Sequence, residues 1–175
     1  LTLRESRRNA STFHKPAEGG ARRGALGAAA DVLRDPWARV VLMSVFIEGM
    51  LVFGGLALVP SYLHERFGLS LTAAGGLTAV FGLGGLCYIV FAAYFVRRLG
   101  EVGLAITGGL FITAAWLTFA LGSSWLWALP GAWMVGIGFY KLHGTLQTHA
   151  TQMAPKTRGT AVSMFASALF LGQSS

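Results

Sequence analysis

The sequence predicts an all-α integral membrane protein, a helical bundle of about five transmembrane helices, on three observations. Long stretches carry no charge: nothing charged lies between Arg66 and Arg97, between Glu101 and Lys141, or after Arg158, and Glu48 is the only charge between Arg39 and His64. A hydrocarbon core about 30 Å thick takes about 20 apolar helical residues to cross, and each stretch is of that order. Short charged or turn-forming segments separate them. Finally, 54% of the 175 residues are hydrophobic and only 12% are charged. One such stretch could be the core helix of a soluble domain, but four in succession cannot.

The elements follow in order. Residues 1–35 read as a cytosolic basic arm. Its first 24 or so residues are polar and flexible, and an Ala-rich segment from about 25 to 34 is expected to lie as a short helix on the membrane surface. Asp35-Pro36-Trp37 starts the membrane domain of 36–175: Asp caps, Pro suits a first turn, and Trp suits the interface. The first span is placed at 36–59, ending at Pro60, and the second at 71–96, ending at Arg97-Arg98-Leu99-Gly100-Glu101. The stretch from Val102 to Tyr140 is too long for one crossing at 1.5 Å per residue. Gly122-Ser123-Ser124 divides it into spans at 102–121 and 126–148. Ala154-Pro155-Lys156-Thr157-Arg158-Gly159 makes the next loop, and a last span, 160–175, is cut short by the chain end. The chain opens on Leu1 and closes inside an apolar stretch, so it reads as part of a longer protein.

The net charge of +7 is distributed as the positive-inside rule demands rather than as a nucleic-acid patch. With the arm in the cytoplasm, Arg97, Arg98, Lys156 and Arg158 also fall inside and Arg66 alone falls outside. The expected location is the cell membrane, multi-pass, with the N-terminal arm cytoplasmic. Many of the 24 glycines fall within predicted spans, where small residues let helices approach closely. Static packing and sliding surfaces remain two open readings of them.

Polar residues inside spans carry the candidate chemistry. Glu48 lies near the middle of the first span, where a carboxyl group faces a bundle interior or a water-filled cavity. Reversible protonation there is what a proton-coupled carrier needs, and a carboxylate also attracts cations. A structural ion pair is the rival role. In the fourth span Gly136, Tyr140, His143 and Gln147 share one helical stripe. Tyr140, His143 and Gln147 are therefore the expected cavity-facing set, with His143 suited to proton relay or substrate hydrogen bonding. Lys141 points elsewhere and is expected to snorkel to the cytoplasmic end.

Other chemistries lack their residues. His143 and His149 do not share a helix face, so no metal site is expected. Gly82-Leu83-Gly84-Gly85 lies mid-helix with no preceding strand, unlike a nucleotide loop. The only aspartates, Asp31 and Asp35, are outside the spans. Cys87 reads as packing. No enzyme activity, cofactor or nucleic-acid partner is expected.

These parts in this order resemble the C-terminal half of a major facilitator superfamily transporter, with the nearest likeness to bacterial drug- and sugar-efflux permeases. The resemblance covers roughly residues 32 to 175. Leu33-Arg34-Asp35-Pro36 is similar to the end of the family's central cytoplasmic loop. Gly136-Ile137-Gly138-Phe139-Tyr140, through His143, Leu146 and Gln147 to Ala154-Pro155 and Arg158-Gly159-Thr160-Ala161, is similar to its tenth helix and following loop. Ala93 to Glu101, with Arg97, Arg98 and Gly100, resembles a degenerate copy of its cytoplasmic loop motif. Arg97 stands where that motif has Asp, so that residue's gating role is not carried over.

The resemblance implies half of a twelve-helix fold around a central cavity, lined here by the first and fourth spans. It implies partners as well: the lipid bilayer, a small-molecule substrate, protons, and the missing N-terminal half. The function expected is proton-coupled efflux of a small organic solute by alternating access. The alternative is a non-transporting membrane scaffold or sensor. A channel fits less well, since it favours rings of like polar residues around a pore.

Overall fold

The computed structural model describes residues 18–175, and residues 1–17 of the expected basic arm lie outside them. The described residues fold as helices joined by short turns. Helix α1 is Glu18–Arg34. It starts earlier than the surface helix expected from about residue 25, and Val32 near its end is buried against neighbouring helices. Asp35 caps the next helix, its side chain accepting from the Trp37 backbone N–H at 2.9 Å. Pro36 occupies the first turn, where its missing N–H costs nothing.

Helix α2, Pro36–Phe67, is one continuous run of 32 residues. It contains a π-helical turn at Met50–Gly54, immediately beyond Glu48 and Gly49. The expected end at Val59 is overrun, and Pro60 lies inside the helix. Tertiary contacts outweigh the proline. The Tyr62 hydroxyl donates to the Phe119 carbonyl at 2.7 Å, and Arg66 donates to the carbonyls of Ala120 and Gly122, both at 3.2 Å. Gly68, at φ 69°, ends the helix in the left-handed region that glycine adopts without penalty.

The run Leu71–Leu121 covers 51 residues. Gly100 alone breaks it sharply, with φ 63° and ψ −178°, a backbone region essentially restricted to glycine. It divides the run into α3 (71–99) and α4 (101–121). The expected loop at 97–101 is thus a single-residue reversal. A short 3-10 turn at Trp125–Trp127 leads into α5, Ala128–Gln152, and a second at Pro155–Thr157 leads into α6, Arg158–Gln173. By length and composition α2 and the α3–α4 run are apolar enough to cross a membrane. At 1.5 Å per residue the 25 residues of α5 span about 37 Å, and its polar residues lower its hydropathy without shortening it.

Packing is strongest between the α3–α4 pair and α5, and between α2 and α6. Glycine makes both close. A Cβ on Gly84 would collide with the Trp133 carbonyl and one on Gly136 with the Phe81 carbonyl, so α3 and α5 touch backbone to backbone. Gly49 meets Leu169, and Gly172 meets Phe46, in the same way between α2 and α6. Two apolar cores result. One gathers Val52, Leu56, Val59, Ile112, Phe119, Val135 and Phe139. The other gathers Val32, Val41, Val45, Leu146, Ala150 and Phe165. They occupy opposite halves of the bundle.

Two substitutions on α3 separate close packing from helix propensity. Gly82 has open space around its missing Cβ and Gly84 has none. Thermal unfolding in detergent should leave Gly82→Ala unchanged or slightly stabilised, and should destabilise Gly84→Ala by about 1–3 kcal/mol. Equal behaviour of the two variants would contradict the backbone contact.

Candidate functional site

At the waist between the two cores, α2 and α5 present one polar group each. Glu48 is followed by the π-helical turn, a local widening that recurs at functional sites. Its side chain reaches α5, where Glu48 Oε2 and His143 Nδ1 lie 2.8 Å apart. With an ionised carboxylate, Nδ1–H donates to Oε2; with a neutral acid, the carboxyl O–H donates to Nδ1. The two members differ in access. The Glu48 side chain is 0% exposed and the His143 side chain 19%. Glu48 Oε1 is also buried and has no hydrogen-bond partner, so the carboxyl group depends on His143 alone.

Aromatic rings brace the imidazole. Phe139, one turn earlier on α5, stacks on it with centroids 4.8 Å apart and planes 24° from parallel. Phe165 of α6 lies 5.3 Å away. Phe53 of α2 packs edge-on against Phe139 at 5.0 Å. Thus α2, α5 and α6 all converge on one titratable ring. None of these three phenylalanines stood out in the sequence as a site residue. Phe139 sits at i−4 from His143, a spacing that marks it as a neighbour.

The other sequence candidates separate. Tyr140 is 36% exposed and lies beside Phe81 and Tyr88 of α3, with centroids 6.4 and 6.5 Å away. Gln147 is exposed further along the same stripe. They border His143 without joining its hydrogen bond. Arg97 and Arg98 are exposed at the α3–α4 reversal, with Arg98 over the Tyr94 ring. Gly100 supplies the reversal itself. At that end His149 Nε2 lies 3.7 Å from Glu101 Oε2, and its ring meets Trp37 edge-on at 5.4 Å.

Lys141 departs from expectation. It does not snorkel: it is 3% exposed, with Nζ 4.3 Å from the Phe95 centroid and 4.6 Å from that of Phe111. Its position on α5 aims it between α3 and α4, and ring faces there attract the ammonium. Among the described residues no group of three His, Cys, Asp or Glu could hold a metal ion.

The fold is that of an all-α membrane helical bundle, with a carboxyl–imidazole contact between α2 and α5. The family model of the Major Facilitator Superfamily matches residues 2–175, and the chain belongs to that superfamily of secondary transporters. Its members move small molecules across membranes and are not enzymes, which places this chain in a membrane, as the sequence predicts. Searches of curated proteins and of solved structures found no match.

The pair makes a prediction about stability. Removing one partner of a buried pair strands the other, at a cost of about 3–5 kcal/mol, while removing both costs much less. Unfolding of Glu48→Leu, His143→Leu and the double variant should show the double variant well above the sum of the singles. Additive losses would mean that the two side chains do not depend on each other.

Proposed function

We propose that this chain forms the carrier body of a proton-coupled secondary transporter that exports a small organic solute by alternating access. The observation that carries the reading is the 2.8 Å contact between Glu48 and His143 at the waist of the bundle. A charge at the centre of a membrane helix costs about 3 kcal/mol, so a carboxyl group and an imidazole held there together are poised between an ion pair and a neutral pair. Transfer of a proton along the contact interconverts these two, and loss of one proton to solution leaves the pair with a net negative charge. Each form holds α2 against α5 with a different strength, and these helices also contact α6 and α3 through glycine. Protonation is thereby linked to how the helices sit.

In this reading Tyr140, His143 and Gln147 face the solute, and Glu48 stores the charge behind them. The end of the bundle bearing Arg34, Arg39, Arg97, Arg98, Lys156 and Arg158 faces the cytoplasm, and Arg66 marks the outer side. A second half of the fold completes the cavity. Arg97, Arg98 and Gly100 form the cytoplasmic turn that moves with the helices.

The test uses the full-length protein in proteoliposomes under an imposed pH gradient, with lumenal pH followed as candidate solutes are added. Wild type should show solute-dependent proton flux, and Glu48→Gln at matched protein level should lose it. Equal flux in both would remove Glu48 from coupling and leave it a structural residue.

A further inference from the structure

Helix α3 carries an exposed stripe, ending at Arg97 and Arg98, that the transport chemistry does not use. Leu83, Leu86, Val90 and Tyr94 fall on one side of the helix at spacings of three and four, and each is more than half exposed. Arg97 and Arg98 are exposed as well and straddle the line of the stripe one turn further on. The opposite side of α3 is the packed one. There Gly84 meets the α5 backbone, and Gly85 lies under the Tyr140 ring. The stripe therefore points away from α5, and among the described residues its side chains stay uncovered.

Its polarity is graded along its length. Leu83 and Tyr94 are eleven positions apart, a rise of about 16 Å. That is close to the depth of one leaflet in a hydrocarbon core about 30 Å thick. Up to Val90 the stripe is aliphatic. Tyr94 then offers an apolar ring and a hydroxyl, the combination suited to the level where hydrocarbon gives way to polar groups. Arg98 follows, its Cζ 5.8 Å from the Tyr94 ring centroid. The ring takes one face of the guanidinium and leaves its N–H edges free.

The charge at this end is unbalanced. Among the described residues neither Arg97 nor Arg98 forms an ion pair. Glu101, the next carboxylate along the chain, is turned to His149 of α5 instead, with Oε2 3.7 Å from Nε2. Two unpaired guanidinium groups at a membrane surface suit a phosphodiester, whose oxygens accept from a guanidinium in pairs. They suit a lipid of net negative charge better than a zwitterionic one, whose cationic end they repel.

We propose that this stripe binds one anionic phospholipid in the leaflet at the Gly100 end of the bundle. Its phosphodiester sits on Arg97 and Arg98, its ester region on Tyr94, and one acyl chain along Val90, Leu86 and Leu83. The site is separate from the Glu48–His143 pair and stands whether or not that pair couples protons. A lipid held here ties the single-residue reversal between α3 and α4 to its leaflet.

The experiment is native mass spectrometry of the purified full-length protein, titrated with phosphatidylglycerol or with phosphatidylcholine of the same acyl chains. Phosphatidylglycerol should bind at least about ten-fold tighter. Arg97→Gln and Arg98→Gln should each weaken it about five-fold, and together should bring it down to the level of phosphatidylcholine. Lys156→Gln with Arg158→Gln removes the same charge from another loop and should leave the affinity within about two-fold. A phosphatidylglycerol carrying a diazirine in one acyl chain should label α3 between Leu83 and Tyr94 on irradiation. That reading is taken in wild type, so it stands even if the double arginine variant fails to fold. Equal affinity for the two lipids would overturn the proposal, as would an equal loss in the Lys156 and Arg158 variant. Labelling confined to other helices would also overturn it and would mean that another part of the protein covers the stripe. Displacement of the lipid by excess inorganic phosphate would place a free anion at the arginines and overturn it too.

Discussion

The hydrogen bond from α2 to α5 at the waist of the bundle is the constraint on which the rest depends. The carboxyl group in this position is buried and has, at Oε1, no second hydrogen-bond partner in the protein. It is held by one imidazole, and that imidazole is held by rings from its own helix and from α6. The two apolar cores lie to either side and contribute no charge of their own. Hydrophobic packing therefore sets the position of each half of the bundle, while the polar pair sets how the halves meet. Adding or removing one proton acts on that junction directly, since it changes the net charge that the pair carries.

The close glycine contacts complement this arrangement. Where backbones touch, at Gly84 and Gly136 or at Gly49 and Gly172, the helices approach more closely than a side-chain layer would allow. The π-helical turn beside Glu48 locally widens α2. Lys141 contributes in the opposite sense. Clamped between rings from α3 and α4, it ties α5 to the hairpin formed at Gly100. One face of α5 is thus fastened to α3 and α4, and the other carries the protonatable junction to α2 and α6.

Much of this was legible in the sequence because membrane helices announce themselves through missing charge. The helical class followed from charge-free lengths, and Glu48 and His143 were singled out by their polarity within apolar stretches and by spacing. Their contact did not follow, since it joins residues 95 positions apart in the chain. Pro60 was misleading: its local effect is helix-breaking, but the bonds from Tyr62 and Arg66 to the end of α4 carry the helix on to Phe67. Lys141 was misread for a similar reason. Snorkelling is the default for a lysine near a helix end, and only the placement of Phe95 and Phe111 on two other helices makes a buried site available. The seven-residue repeat Phe81, Tyr88, Phe95 was present in the sequence and could have flagged an aromatic stripe on α3. The position of Tyr140 over Gly85 required the helices to be assembled.

The most direct measurement of the central claim is nitrogen NMR of His143, ring-labelled in the reconstituted protein, followed through the imidazole titration in wild type and in Glu48→Gln. The account predicts that the Nδ1 resonance reports a hydrogen bond in wild type, that it titrates, and that adding a transported solute displaces it. All of these changes should be altered or lost in Glu48→Gln. A His143 resonance that is the same in both proteins, and indifferent to solute while transport proceeds, would contradict the claim that this pair carries the coupling proton.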